Sequence, residues 1–144
     1  SAAAQTMHKP ARLGGRVLVV DDNPVNRRIL ARQVELAGAS TDTAAGGEEA
    51  LELVRRGPYD LVLADLQMPE MDGFELARRI RGRENDEQLP RTPILAVTAS
   101  AFEDVDACAH AAGMDGLITK PVGVEQLRAI LDAWLKDVRT EQAA

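Results

Sequence analysis

An alternation limits the folds open to this chain: from Arg16 onward, short apolar runs are separated by longer amphipathic stretches. Strands that alternate with helical patterns build a parallel sheet, because parallel neighbours need a long crossover and cannot be joined by a tight turn. Val17 to Val20, Leu61 to Ala64 and Ile94 to Val97 are continuously apolar, as central strands covered on both faces must be. Ala39 to Thr43, β-branched at Thr41 and Thr43, and the short Gly116 to Thr119 suit the sheet edges. The expectation is an α/β domain with a doubly wound, five-stranded parallel sheet and helices on both faces.

The intervening stretches read as helices. Pro24 to Ala37 places Val25, Ile29, Leu30 and Val34 at helical spacing, opens on capping candidates Asp22 and Asn23, and stops at Gly38. Glu48 to Arg56 repeats the pattern with Ala50, Leu51 and Val54, and Phe74 to Arg81 does so with Leu76, Ala77 and Ile80. Phe102 to Ala112 is alanine-rich and only weakly amphipathic, so it is expected to pack lightly and move most. Near the C-terminus, Leu127, Ile130, Leu131, Trp134 and Leu135 form one apolar stripe, with Trp134 expected as a core anchor. The charged, Pro90-punctuated stretch from Gly82 to Thr92 reads as a surface loop. Residues 1–15 read as a linker, residues 16–136 as the domain and residues 137–144 as a tail.

Composition narrows the function classes. The net charge of −6, with arginines scattered among acids, disfavours nucleic-acid binding. No apolar run approaches the roughly 20 residues of a membrane helix. The single cysteine, Cys108, leaves no intramolecular disulfide and points to a reducing, cytoplasmic setting. His8 and His110 have no His or Cys partner at zinc-ligand spacing.

Parallel α/β sheets bind ligands beyond the carboxyl ends of their strands. Here the first strand runs into Asp21-Asp22, the third into Asp65, the fourth into Thr98 and the fifth into Lys120. Each alone has an ordinary explanation, as a helix cap or a solvated end residue. Together they set three carboxylates, a hydroxyl and an ammonium at one end of one sheet, which capping does not require. Two carboxylates about 5 Å apart repel by roughly 3 kcal/mol at an effective dielectric near 20. A hard dication with oxygen ligands relieves this, and Mg²⁺, which combines few carboxylates with waters and phosphate oxygens, fits best. The turn DDNPVN lacks a glycine-rich phosphate cradle, which argues against a nucleotide site.

VLVVDDNPVNRRIL, DLVLADLQMPEMDGFEL, PILAVTA and LITKPV, in that order between about Arg16 and Leu135, closely resemble the receiver domains of response regulators and hybrid histidine kinases. The resemblance implies the flavodoxin-like strand order 2-1-3-4-5. It implies Asp65 as phosphoacceptor, Asp22 as a direct Mg²⁺ ligand, Asp21 as a ligand through water and the Gln67 backbone carbonyl as a further ligand. Thr98 matches the hydroxyl that bonds the phosphoryl group, Lys120 the cation that pairs with it, and Pro121 the proline whose preceding bond is usually cis.

As the resemblance implies, such a domain takes its phosphoryl group from a phosphohistidine on a histidine kinase or histidine phosphotransfer domain and signals by changing conformation. It catalyses its own phosphorylation and dephosphorylation without being a turnover enzyme; a longer parent chain would be a histidine kinase. DDNPVNRRIL and QMPEMDG look most like hybrid-kinase receivers, with partner contacts expected at Asn26, Arg27, Leu30 and Val122. Leu117 stands where many receivers carry Tyr or Phe, so an aromatic rotamer switch is not expected. Gln67 and Ser100 occupy positions at which the family varies acyl phosphate lifetime. A free-standing regulator is the near alternative. A Mg²⁺-dependent phosphohydrolase would need a second acid, absent two residues after Asp65, and a pseudo-receiver would have damaged acids.

Overall fold

In a computed structural model, residues 14–99 and 102–143 are described, those from 136 onward as backbone only. The expectations for residues 1–13 and for Ser100 lie outside them. Five strands, β1 (Arg16–Val20), β2 (Ser40–Ala44), β3 (Leu61–Asp65), β4 (Ile94–Thr98) and β5 (Gly116–Thr119), form one sheet in the order β2-β1-β3-β4-β5. Every pairing is parallel. The helices are α1 (Pro24–Leu36), α2 (Gly47–Arg56), α3 (Gly73–Glu87), α4 (Val105–Ala111) and α5 (Val124–Ala143).

Side-chain parity divides the core in two. Leu18, Val20, Val62, Ala64, Ile94 and Ala96 pack with Ala50, Leu76, Ile80, Val105 and Ala109 from α2, α3 and α4. Val17, Val19, Leu61, Leu63, Leu95 and Val97 pack with Leu30, Val34, Leu127, Leu131 and Leu135 from α1 and α5. Consecutive strand residues point to opposite faces, so continuously apolar strands are what a sheet between two helical layers requires. The polar edge strand β2 is held otherwise: the Asp42 carboxylate accepts from the Tyr59 hydroxyl at 2.6 Å and from Arg16 at 2.9 Å. Burial and that bond push the Tyr59 hydroxyl up to about 12.

Several sequence expectations change in the structure. The loop expected from Gly82 to Thr92 is largely helix, because α3 continues to Glu87 and ends on Gln88 in the left-handed region with φ 53°. Glu84, on that extension, is buried: it accepts from Arg81 and from the Thr92 backbone N–H, both at 2.8 Å. Trp134 is 36% exposed and flanks edge strand β5 near Gly116 instead of anchoring the core. On α1, Leu30, Ala31 and Val34 face the sheet, whereas Val25 and Ile29 are 59% and 54% exposed. The helix expected from Phe102 begins only at Val105, with Phe102 exposed. Residues 137–143, expected as a tail, continue α5.

Candidate active site

The carboxyl ends of β1, β3, β4 and β5 converge on one cleft. Asp21 follows β1 directly and is 2% exposed. Its backbone N–H donates to the Ala44 carbonyl at 3.1 Å, and its Oδ1 accepts from the Asn23 N–H at 2.9 Å. Asn23 in turn caps α1, its Oδ1 accepting from the N–H groups of Val25 and Asn26. One short turn therefore orients an acid and starts a helix.

Asp65 closes β3 and is 9% exposed. Its Oδ1 accepts from the Gln67 N–H at 3.1 Å. The loop that follows folds back so closely that a Cβ on Gly73 would lie 2.5 Å from the Asp65 carbonyl oxygen, and the Gly73 N–H donates to the Leu66 carbonyl at 3.0 Å. The absent side chain at Gly73 is what lets α3 start beneath the acid; nothing in the sequence distinguished this glycine from an ordinary turn residue.

Lys120, just beyond β5, reaches across the cleft, its ammonium 3.1 Å from Asp21 Oδ2 and 3.6 Å from Asp65 Oδ2. Its backbone N–H donates to the Thr98 carbonyl at 2.8 Å, so the fourth and fifth strand ends are tied together. Thr98 is 1% exposed at the end of β4, the strand beside β3. The Lys120-Pro121 peptide bond is cis. Asp22 is exposed, and one carboxylate oxygen from each of Asp21, Asp22 and Asp65 lies within 4.8 Å of the others.

Burial pushes the Asp65 carboxyl above the usual carboxylate range; the Gln67 N–H and the Lys120 ammonium pull against this, and the neighbouring Asp21 adds to it. The oxygen-only donor set, its negative charge and its opening to solvent through Asp22 suit a hard divalent cation.

Beside the cleft lies a groove of about 330 Å³ between α1 and the segment after β5, and Asp21 and Lys120 form part of its lining. Asn26, Leu30 and Val122, expected as partner contacts, line it together with Ile29 and Gln33. Arg27 does not: its guanidinium donates to the Asp21 carbonyl at 2.8 Å and faces a separate surface recess with Arg28 and Arg32. Leu30 is largely buried, so the exposed apolar wall is Ile29. Among the described residues, no helix is long and apolar enough to cross a membrane.

Comparison with known proteins follows the same lines. The family model for the response regulator receiver domain matches residues 17–132. Hybrid signal transduction histidine kinase L of Dictyostelium discoideum is 36% identical over 140 residues, covering 95% of this chain and 8% of that protein. The chain spans about a tenth of the length of the curated relatives it matches. Among solved structures, the receiver domain of Ssk1 from Saccharomyces cerevisiae, co-crystallised with the histidine phosphotransfer protein Ypd1, superposes with a TM-score of 0.79 at 30% identity, covering 84% of this chain and 88% of that one. The receiver domain of sensor histidine kinase PA1611 from Pseudomonas aeruginosa, with a magnesium ion coordinated in its active site cleft, gives 0.76 at 33% identity, covering 85% and 98%. A match of this extent, over a sheet whose carboxyl ends gather the motif acids and lysine, establishes that the chain belongs to the response regulator receiver domain family.

Proposed function

We propose that this receiver takes a phosphoryl group from a phosphohistidine donor onto Asp65 in a Mg²⁺-dependent reaction. The observation that carries the reading is the Lys120 ammonium bridging Asp21 and Asp65 at 3.1 and 3.6 Å, across an acid cluster open to solvent at Asp22. An unpaired acid cluster repels itself, and a cation that touches both acids is what a cleft built for a further anion requires.

Asp22, Asp21 through water, Asp65 and the Gln67 carbonyl are the residues that would hold Mg²⁺. When bound, the ion neutralises charge on the acids and on the phosphoryl oxygens. The chain's own residues do the rest. Asp65, ionised, presents Oδ2 to the phosphorus while Oδ1 is held by the Gln67 N–H. The O–P bond forms as the P–N bond to the donor histidine breaks, and the electron pair leaves on the imidazole. Lys120 moves from pairing with carboxylates to pairing with the transferred group, and the Thr98 hydroxyl bonds a phosphoryl oxygen. The product adds about 1.5 to 2 negative charges near neutral pH, which draws the segment after β4 toward the site.

The donor's phosphohistidine has to come within bonding distance of Asp65, so its surface has to cover the neighbouring groove, whose wall includes exposed Ile29 and Asn26. A histidine phosphotransfer domain of a hybrid-kinase phosphorelay is the partner we assign, acting in the cytoplasm where such donors are charged from ATP. Residues 16–136 form the unit we assign to this function, with 1–15 as a linker.

Incubation with Mg²⁺ and acetyl phosphate, followed by intact mass measurement, tests the reading. The wild type should gain one phosphate, and Asp65→Asn or chelator-treated protein none. An adduct that persists in Asp65→Asn overturns the assignment.

A further inference from the structure

Beside the Lys120–Asp21 pair at the head of the groove, a side-chain hydrogen bond ties α1 to the segment after β5. Gln33, half-buried on α1, donates from Nε2 to the Val122 carbonyl at 2.9 Å, across 89 residues of sequence. Both residues line the groove, and Val122 lies two residues beyond Lys120 on the segment that joins β5 to α5. That segment is otherwise held at its ends: Lys120 N–H donates to the Thr98 carbonyl, and Gly123 accepts from Leu127 as α5 begins. A Cβ at Gly123 would meet nothing within 4 Å, so packing does not wedge the segment there. Between these anchors, the separation of the groove walls rests on the Gln33 amide and on the Val122 side chain packed against the core.

Resting on the assignment of Asp65 as acceptor, we propose that Gln33 is a positioning residue for phosphotransfer from a protein donor, holding the Val122 carbonyl so that the donor meets a groove already at the right width. An ordinary solvated helix glutamine has no such consequence. The distinction follows from where the bond lies. Lys120 is placed by its own contacts with Asp21, Asp65 and Thr98, so losing the Gln33 bond leaves the chemistry of the cleft in place and loosens only the surface that a protein donor covers. A preformed surface binds more tightly than one that has to be ordered on contact.

The test compares two donors on the wild type, Gln33→Leu, which keeps the bulk and removes the donor, and Gln33→Glu, which turns a carboxylate toward the Val122 carbonyl. One donor is acetyl phosphate. The other is the phosphorylated histidine phosphotransfer protein of the source organism that labels the wild type fastest. With the protein donor, the apparent KM of Gln33→Leu should rise about three- to tenfold, the range expected for one lost hydrogen bond, with kcat little changed and a larger rise for Gln33→Glu. With acetyl phosphate the rates of all three should agree. Equal losses with both donors, or no change with the protein donor, overturn the proposal. So does a wild type labelled by acetyl phosphate but by no phosphotransfer protein, which leaves the Asp65 reading standing. No label from either donor overturns that reading itself.

Discussion

Burial makes the folded protein hold a proton on Asp65 more tightly than the unfolded chain does. The contribution of this group to stability is therefore full below the ordinary value of 3.8 and is lost as pH rises through the raised folded value. Metal-free Asp65→Asn should accordingly be more stable than the wild type at neutral pH, and the gap should narrow toward the ordinary Asp range; urea unfolding of both proteins in chelator measures it. Lys120 has the opposite part, since its removal leaves Asp21 and Asp65 facing each other without their shared cation. Lys120→Ala should lose on the order of 2 kcal/mol without metal, read in the same unfolding experiment, while keeping a Mg²⁺-induced thermal shift. Gly73→Ala should lose about 1 to 3 kcal/mol, because its methyl group would fall 2.5 Å from the Asp65 carbonyl oxygen. These residues were not equally visible beforehand. Asp21, Asp22, Asp65 and Lys120 stood out because charge at strand ends is unexplained by packing, whereas Gly73 and Gln33 act through backbone contacts that a residue's type does not announce.

Among the elements, the strands were legible and parts of the helices were not, for one physical reason. A strand buried on both faces needs an unbroken apolar run, which few other structures produce. A helix needs only a stripe, and its periodicity does not say whether the stripe meets a core or a partner. Ile29 carries the α1 stripe outward into the groove wall, Val25 is exposed one turn before it, and Trp134 borders a sheet edge. The second half of α3 was hidden by the opposite signal, a buried ion pair that breaks the apolar pattern. There Arg81 donates to the Gly113 carbonyl, Glu84, the Thr92 carbonyl and Asp115 at 2.7 to 2.8 Å. Gly113, at φ +97°, leaves the room that Arg81 occupies. This clamp joins α3 to the C-terminal end of α4, while Asp104, at the other end of α4, makes no side-chain cap bond. Arg81→Ala should cost about 3 kcal/mol, as for breaking a buried pair, and far more than Arg79→Ala, whose pairs with Glu75 and Glu48 are exposed and screened by solvent. Chemical unfolding of the two variants distinguishes them. Leu117, partly buried against the core, puts no aromatic ring on β5 to report movement after β4.

For the molecule as a whole, the strand order came from the resemblance to receivers and not from the pattern of apolar runs, which implies a parallel sheet with one polar and one short edge strand but not which neighbours pair. The order in turn explains the site, since it sets β1 and β3 side by side at the centre and brings β4 and β5 next to them. Acids separated by more than forty residues in sequence thereby share one cleft with a lysine at the far end of the domain. A ligand held only by that assembled cleft stabilises the whole fold, by about 2.7 kcal/mol at a hundred times its Kd. Mg²⁺ should therefore raise the unfolding midpoint of the wild type, and Asp22→Ala should weaken the effect. The most direct measurement traps the acyl phosphate itself. After Mg²⁺ and acetyl phosphate, borohydride reduction followed by peptide mass mapping should find homoserine in place of aspartate at position 65 and nowhere else. Reduction at another acid, or an unreduced Asp65 in protein that carries phosphate, would contradict the account.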